Sequence, residues 1–361
     1  MIVTSCTPQT HFAQLELIET VFHPRMRDRY PWLLSESNLN HRFVAMDGPV
    51  VVGALNYWTD DVLINGIELR VASIGAVATH PDYRGQGIAT RLLNHAENVM
   101  RDEKIDVVII SGSIDLYVRY GAERLSSVMT FTVPARDLPV ALVPVEASHV
   151  PALKAMYDEN PCRFVRSVSQ MEELIQATSV PSDWMNTVIY TVLDHEQPIA
   201  YAVVTRRPNK PGAWIREFGG DPSVLPALAG TLKRTLKVQR VILEVIHNDP
   251  LVPWLQRQGW PLTEEPMEST LKVLDFEQLV FKLKPLLIQR NPVMAELTVT
   301  QSANEVTFTL NDHPFSTSFR TAQRILFGPW PTDIPEDHPV LNQLKGILPI
   351  PWVYPSNLNY Q

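Results

Sequence analysis

Apolar, β-branched runs alternate along this chain with stretches of helical periodicity, and turn residues separate them. Phe12, Leu15, Leu17, Ile18 and Phe22 recur at helical spacing and predict a helix over His11 to Phe22. Arg42 to Met46 and Val50 to Tyr57 read as a hairpin around Asp47-Gly48-Pro49. Val62 to Ile64 and Glu68 to Val77 form a second pair around Asn65-Gly66. A turn then opens a helix over Ile88 to Arg101, and Asp106 to Ser111 reads as a buried strand. Met129 to Val133 is expected to be the last strand of this first region, residues 1–138. Strands interleaved with helices on this scale describe one α/β domain with a mixed sheet.

Residues 139–274 repeat the order. Ala141 to Val145 reads as a strand, His149 to Asp158 as a helix, and Val188 to Asp194 with Ile199 to Thr205 as a hairpin. Val224 to Leu236 follows as a helix, with Ser223 as its expected N-cap and Pro226 tolerated in its first turn. Val241 to Ile246 is a strand, and Gly259 then corresponds to Gly121 of the first region. The same offset places Leu255 where Tyr117 stands, so duplication of one α/β unit explains the order in a single step. Residues 275–361 predict an amphipathic helix from Phe276 to Leu287, strands at Ala295 to Thr300 and Glu305 to Leu310, and a short helix from Thr321 to Phe327. That is a small α+β arrangement.

Composition narrows the class. The chain has 361 residues, enough for two or three domains, and 45% of them are hydrophobic. No apolar run approaches the ~18 residues of a membrane span, and the N-terminus lacks the basic and apolar regions of a secretory signal. The two cysteines, Cys6 and Cys162, exclude a disulfide framework and a paired metal motif, which suits free thiols in a cytoplasmic protein. No histidine–carboxylate spacing for a metal occurs. A net charge of −8 argues against a nucleic-acid footprint and suits a cationic small-molecule partner through steering.

The chemistry concentrates in Val77 to Thr90, read V-A-T-H-P-D-Y-R-G-Q-G-I-A-T. A strand runs into a glycine-bearing turn that opens a helix. Such a turn aims unpaired backbone N–H groups at one point and suits a pyrophosphate. The dinucleotide fingerprint and the P-loop are both absent. Arg84, Gly87 and Ala89 fit R-x-x-G-x-A, and the segment resembles the acetyl-CoA turn of the GNAT N-acetyltransferases. Leu116 to Ala122, L-Y-V-R-Y-G-A, resembles a second GNAT segment, with Ala122 departing from the usual phenylalanine. The resemblance implies that Val77, Ala78 and Thr79 offer strand backbone to the pantetheine of acetyl-CoA. It implies that Arg84, Gly85, Gln86, Gly87, Ile88, Ala89 and Thr90 hold the pyrophosphate, and that Gly112 and Ser113 meet the far end of the pantetheine. Gln86 and Thr90 also read as plain surface residues.

When an amine attacks the thioester, the sulfur leaves and needs a proton. A phenol with an ordinary pKa of about 10 can give it. Tyr117 falls on the family's tyrosine and is the expected general acid; Tyr120 is its rival, three residues on. His80 in the turn reads as a local hydrogen-bonding group.

Taken whole, the chain resembles the enhanced intracellular survival (Eis-like) acetyltransferases: tandem GNAT-like domains, the second without the anion turn or the tyrosine, then a sterol carrier protein-like domain. That resemblance implies an N-acetyltransferase that uses acetyl-CoA and no metal and assembles as a hexamer. Its acceptor would be a small-molecule or peptide amine, such as an aminoglycoside, polyamine or lysine. It also implies that the carboxylate of Gln361 serves as base beside Tyr117; the prolines and aromatics near it suit a docked tail. A CoA-binding regulator without catalysis and a lipid-binding protein led by the third region are the other readings.

Overall fold

The computed structural model describes residues 1–112, 115–124, 127–180, 185–208, 210–267, 269–355 and 357–359. The chain divides into two compact units. One comprises Met1–Ser126 with Met267–Pro351, the other Ser127–Pro266 with Trp352–Tyr360. The units therefore cut across the three consecutive segments expected from the sequence.

The first unit begins with β1 (Ile2–Ser5) and α1 (Pro8–Val21), then two single-turn helices, α2 (Met26–Arg29) and α3 (Pro31–Leu34). On α1 the buried face is His11, Gln14, Leu15, Leu17 and Ile18, while Phe12 and Phe22 are exposed. β2 (Arg42–Asp47), β3 (Val50–Ile64) and β4 (Ile67–Thr79) form an antiparallel meander. The two strand segments expected between Val50 and Ile64 are one strand. Its turn into β4 places Asn65 and Gly66 at φ 48° and 88°, the left-handed pair that a two-residue hairpin requires. After α4 (Ile88–Asp102), β5 (Val107–Ile110) runs parallel to β4, and α5 (Asp115–Arg119) follows. Ile88, Leu92, Leu93, Ala96 and Met100 form the buried stripe of α4 and pack on Phe43, Leu55, Tyr57 and Ile74 of the sheet.

The second unit starts with β6 (Ser127–Val133), expected to close the first region. It pairs instead with two later strands of the second unit, and Met129, Phe131 and Val133 enter that unit's core. Next come β7 (Ala141–Pro144), α6 (Val150–Asp158), β8 (Cys162–Phe164), α7 (Val168–Thr178), β9 (Asn186–Asp194), β10 (Gln197–Arg206) and β11 (Gly212–Gly220). α8 (Leu225–Leu236), β12 (Arg240–Ile246), α9 (Val252–Arg257) and β13 (Leu262–Pro266) complete it. The sheet order is β13-β6-β12-β11-β10-β9-β7. Before α8, the side chain of Asp221 rather than Ser223 provides the cap: it accepts from the Ser223 N–H and starts a 3-10 turn that leads into the helix.

The chain then returns to the first unit. β14 (Thr270–Val273) pairs antiparallel with β5. α10 (Phe276–Arg290), capped by Asp275, precedes the three-stranded sheet β15 (Thr298–Gln301), β16 (Glu305–Leu310) and β17 (His313–Ser318). The helices α11 (Phe319–Phe327) and α12 (Pro339–Lys345) follow. Among the described residues no helix is long and apolar enough to cross a membrane.

Candidate active site

The site grows from an irregularity in β4. Ala54 pairs with Ala78, but Asn56 pairs with Gly75, so β4 carries one extra residue, with Ala76 and Val77 opposite Leu55. Ala76 sits in this bulge at φ 50°, a left-handed conformation unusual for a residue with a side chain. Its carbonyl accepts a hydrogen bond at 3.2 Å from the carboxamide of Asn56, which is itself fully buried. Asn56 in turn accepts from Nε of Arg42 at 3.2 Å. Arg42 is also fully buried, and its Nη1 lies 2.6 Å from the Leu34 carbonyl, 3.1 Å from the Ser35 carbonyl and 2.8 Å from Nδ1 of His11. Burial lowers the guanidinium's pKa from its ordinary value.

The parallel pairing of β4 with β5 covers Val71–Ile74 against Val107–Ile110, and β4 continues past it to Thr79. The His80 N–H bonds the Val52 carbonyl at 2.9 Å, so Ala78 and His80 face their polar groups toward β3. Alternation along an antiparallel ladder then turns the N–H and C=O of Val77 and Thr79 the other way. The sequence-predicted strand segment thus presents an edge that an extended pantetheine amide chain can pair with.

Beyond Thr79 comes a 3-10 turn, Pro81–Tyr83, whose start is capped by the His80 ring; Tyr83 donates to Asp47 at 3.0 Å. Arg84 and Gln86 are exposed. Gly85 and Gly87 lie at φ 78° and 73°, and a Cβ at either would meet nothing within 4 Å. Gly87 is the N-cap of α4 and supplies no side chain, so the first-turn N–H groups of Ile88, Ala89 and Thr90 are without an intrahelical partner. The Ile88 side chain belongs to the core, leaving its backbone for a ligand. Open space, positive backbone dipoles and one arginine fit a pyrophosphate.

Tyr117 lies on α5 and is 7% exposed, among core residues that include Ile74, Ile110 and Ala122. A Cβ on Gly112 would come within 3.2 Å of the Tyr117 ring, so this glycine seats the ring. The Gly112 carbonyl accepts from Thr270 of β14 at 3.2 Å. Tyr120 is placed differently. The Lys272 ammonium stands 3.7 Å above its ring, 2.8 Å from its carbonyl and 2.6 Å from Glu97. Burial, and then the Glu97 carboxylate, push the Tyr120 phenol far above its ordinary range. Burial works against charge on Glu97, but Lys272 and Arg101 outweigh it and hold the carboxyl below its usual value. Tyr120 is part of a structural ion cluster, which separates it from Tyr117.

The structure thus brings Val77 to Thr79, the turn and the start of α4 into one continuous stretch, and seats Tyr117 against Gly112. Ser113 and Gln361 lie outside the described residues. Sequence reasoning missed Asn56, Arg42 and the Ala76 bulge; a polar residue inside the apolar run V-V-V-G-A-L-N-Y was the one available signal for Asn56. Among the described residues no group of three or more metal-ligating side chains occurs.

Residues 3–125 match the family model described as acetyltransferase (GNAT) domain. This part of the chain is a GNAT-type N-acetyltransferase domain. No curated protein matches the chain. Solved structures match along nearly the whole length at low identity. A GCN5-related N-acetyltransferase from Anabaena variabilis is 14% identical with a TM-score of 0.66, covering 97% of this chain and 98% of that one. A conserved Enterococcus faecalis protein described as a probable N-acyltransferase is 15% identical with a TM-score of 0.69, covering 98% and 99%. Eis1 from Mycobacterium abscessus is 14% identical with a TM-score of 0.59, covering 91% and 90%. At these identities the likeness is one of fold.

Proposed function

We propose that the chain transfers an acetyl group from acetyl-CoA to a primary amine of a cationic acceptor, by direct attack with both substrates bound. The observation that carries this reading is the bulge at Ala76, which lies between the end of the β4–β5 pairing at Ile74 and a glycine turn at a helix N-terminus. In this reading Val77 and Thr79 pair with the pantetheine amides. Arg84 and the turn N–H groups from Gly85 to Thr90 hold the pyrophosphate, and Gly112 and Ser113 border the reacting end.

The amine nitrogen forms a bond to the thioester carbonyl carbon, and the carbon–sulfur bond breaks. Tyr117 gives its phenolic proton to the departing sulfur. The amine's own proton passes to a base, for which the Gln361 carboxylate is the assignment proposed; deleting Tyr360 and Gln361 tests it. The likeness in fold to Eis1 supports membership of the Eis-like group, with residues 139–274 as a GNAT-like domain without chemistry and residues 275–361 as a sterol carrier-like domain. A cytoplasmic hexamer belongs to the same proposal.

The test is CoA release across a panel of polyamines, aminoglycosides and lysine peptides, with wild type and Tyr117→Phe. Turnover on a cationic amine that collapses in the variant supports the reading. Acetyl-CoA binding without turnover on any amine favours a regulator, and lipid that copurifies with the protein favours a lipid carrier.

A further inference from the structure

The second unit repeats the geometry of the first at one place. β11 pairs parallel with β12 from Gly212–Ile215 to Arg240–Leu243, and the pairing stops there. The register of β10 against β11 shifts between Val203 and Val204, which pair with Glu217 and Ile215 and leave Arg216 bulged. This matches the end of the β4–β5 pairing at Ile74 and Ile110, followed by the bulge at Ala76. Past the bulge, β11 and β12 border a cavity of about 60 Å³.

The cavity is polar and its charges do not balance. Arg216 and Glu217 of β11, Glu244 of β12 and Asp249 line it together with Tyr354 and Asn357 of the C-terminal stretch. Glu217 is held by Arg166 through two bonds of 2.8 Å, a complete ion pair. Glu244 accepts from the Tyr354 hydroxyl at 2.8 Å and lies 3.8 Å from Nε of Arg216. Asp249 accepts one bond, from the Leu251 N–H at 2.8 Å, and pairs with no cation among the described residues. One carboxylate is therefore left over in a polar cavity with room for several water-sized atoms, since ~10–15 Å³ by this measure admits one water. A partly buried carboxylate that faces no cation carries a desolvation cost, and a bound cation offsets it.

We infer that this cavity is a binding site for a small aliphatic ammonium ion, held by Asp249 as its counter-charge, with Glu244 and the Asn357 side of the cavity around it. The size limits the occupant to a head group of a few heavy atoms. The site is separate from the acetyl-transfer reading and needs no acetyl-CoA.

The probe is ethylammonium chloride, with sodium chloride at equal ionic strength as the control. Binding is read on the full chain without acetyl-CoA, by calorimetry and by the shift in unfolding temperature. Burial raises the Asp249 carboxyl to about 6. The other titratable groups on the cavity wall are Arg216, Glu217, Glu244, Tyr157, Cys162 and Tyr354. Ammonium binds the ionised acid, so affinity should rise at least fivefold between pH 5 and pH 8. Asp249→Asn keeps the shape and the Leu251 contact and should weaken binding at least tenfold. Glu244→Gln should weaken it less, and Tyr117→Phe should leave it unchanged. No saturable binding to wild type at pH 8 overturns the inference. So does equal binding by Asp249→Asn, or a thermal shift that sodium reproduces. These results leave the acetyl-transfer reading untouched, because that reading is judged by CoA release.

Discussion

The carboxamide of Asn56 on β3 donates to the carbonyl of Ala76 on β4 across 3.2 Å, and so ties down the residue whose left-handed backbone creates the bulge. A bulge leaves backbone groups without ladder partners, and an unmet buried carbonyl costs about 1–3 kcal/mol. Asn56→Ala removes this donor and also an acceptor of the buried Arg42. We expect a loss of about 1–3 kcal/mol in denaturant unfolding, with a several-fold rise in KM for acetyl-CoA as Val77 and Thr79 lose their alignment. Unchanged stability and KM would show that the bulge holds without Asn56.

The turn into α4 gives a second prediction. Gly87 adopts φ 73° with open space where a Cβ would sit, so an alanine there meets backbone strain and no clash. Gly87→Ala should cost about 1–2 kcal/mol, the usual penalty for left-handed backbone. It should also weaken CoA binding by calorimetry, because the N–H groups of the first turn are re-aimed. Full CoA affinity in the variant would remove the turn from the pyrophosphate site.

The two tyrosines of α5 and its end separate experimentally. Tyr117→Phe should lower kcat by about 10²–10⁴-fold, the range for loss of a general acid, with CoA affinity retained. Tyr120→Phe deletes a hydroxyl buried beside Glu97 and keeps the ring under Lys272. Its kcat should stay within a few-fold of wild type. The reverse order would exchange their roles.

Much of this site is legible in the sequence because its signals are local. Asn65-Gly66 specifies a two-residue turn, the spacing of Ile88, Leu92, Ala96 and Met100 specifies one helix face, and Gly85 and Gly87 mark the glycine turn that opens α4. What the sequence leaves open is non-local. β6 and β14 are both short apolar strands, and nothing beside them says which sheet edge each completes; only burial of Met129, Phe131 and Val133 in the second unit decides it. The bulge has no residue signature either, since Ala76 is held there by a side chain twenty positions earlier. Arg42 begins a strand and reads as a surface residue, yet it is buried by partners from α1 and the α3 turn.

In the second unit, Arg166 joins Glu217 to the C-terminal stretch. It bonds both oxygens of Glu217 at 2.8 Å and also the Asn359 side chain, and it stacks over Tyr157 at 3.8 Å. Glu217 also accepts from the Leu358 N–H at 3.1 Å. Burial opposes its charge, but Arg166 outweighs burial and keeps the carboxyl below its ordinary range. Arg166→Met leaves a buried carboxylate alone and should cost about 3–5 kcal/mol. Replacing both members by apolar residues of similar volume should cost less than the single change, and a double-mutant cycle in chemical denaturation measures the difference.

Asp249 should make the protein less stable as pH rises. Burial raises its folded-state pKa from 3.8 to about 6. Between those values the folded protein holds a proton that the unfolded chain has released, so the stability conferred by this group falls with increasing pH and levels off above about 6. Asp249→Asn removes the titration while preserving an acceptor for the Leu251 N–H. The variant's unfolding temperature should therefore differ little from wild type at pH 4 and exceed it at pH 7.5, in buffers without amines. The amine-free condition matters, because an ammonium bound in the cavity would stabilise the ionised acid and shrink the gap. A gap that is equal at both pH values would mean that the carboxyl titrates as it does in water, and would remove the uncompensated charge on which the cavity's cation selectivity depends.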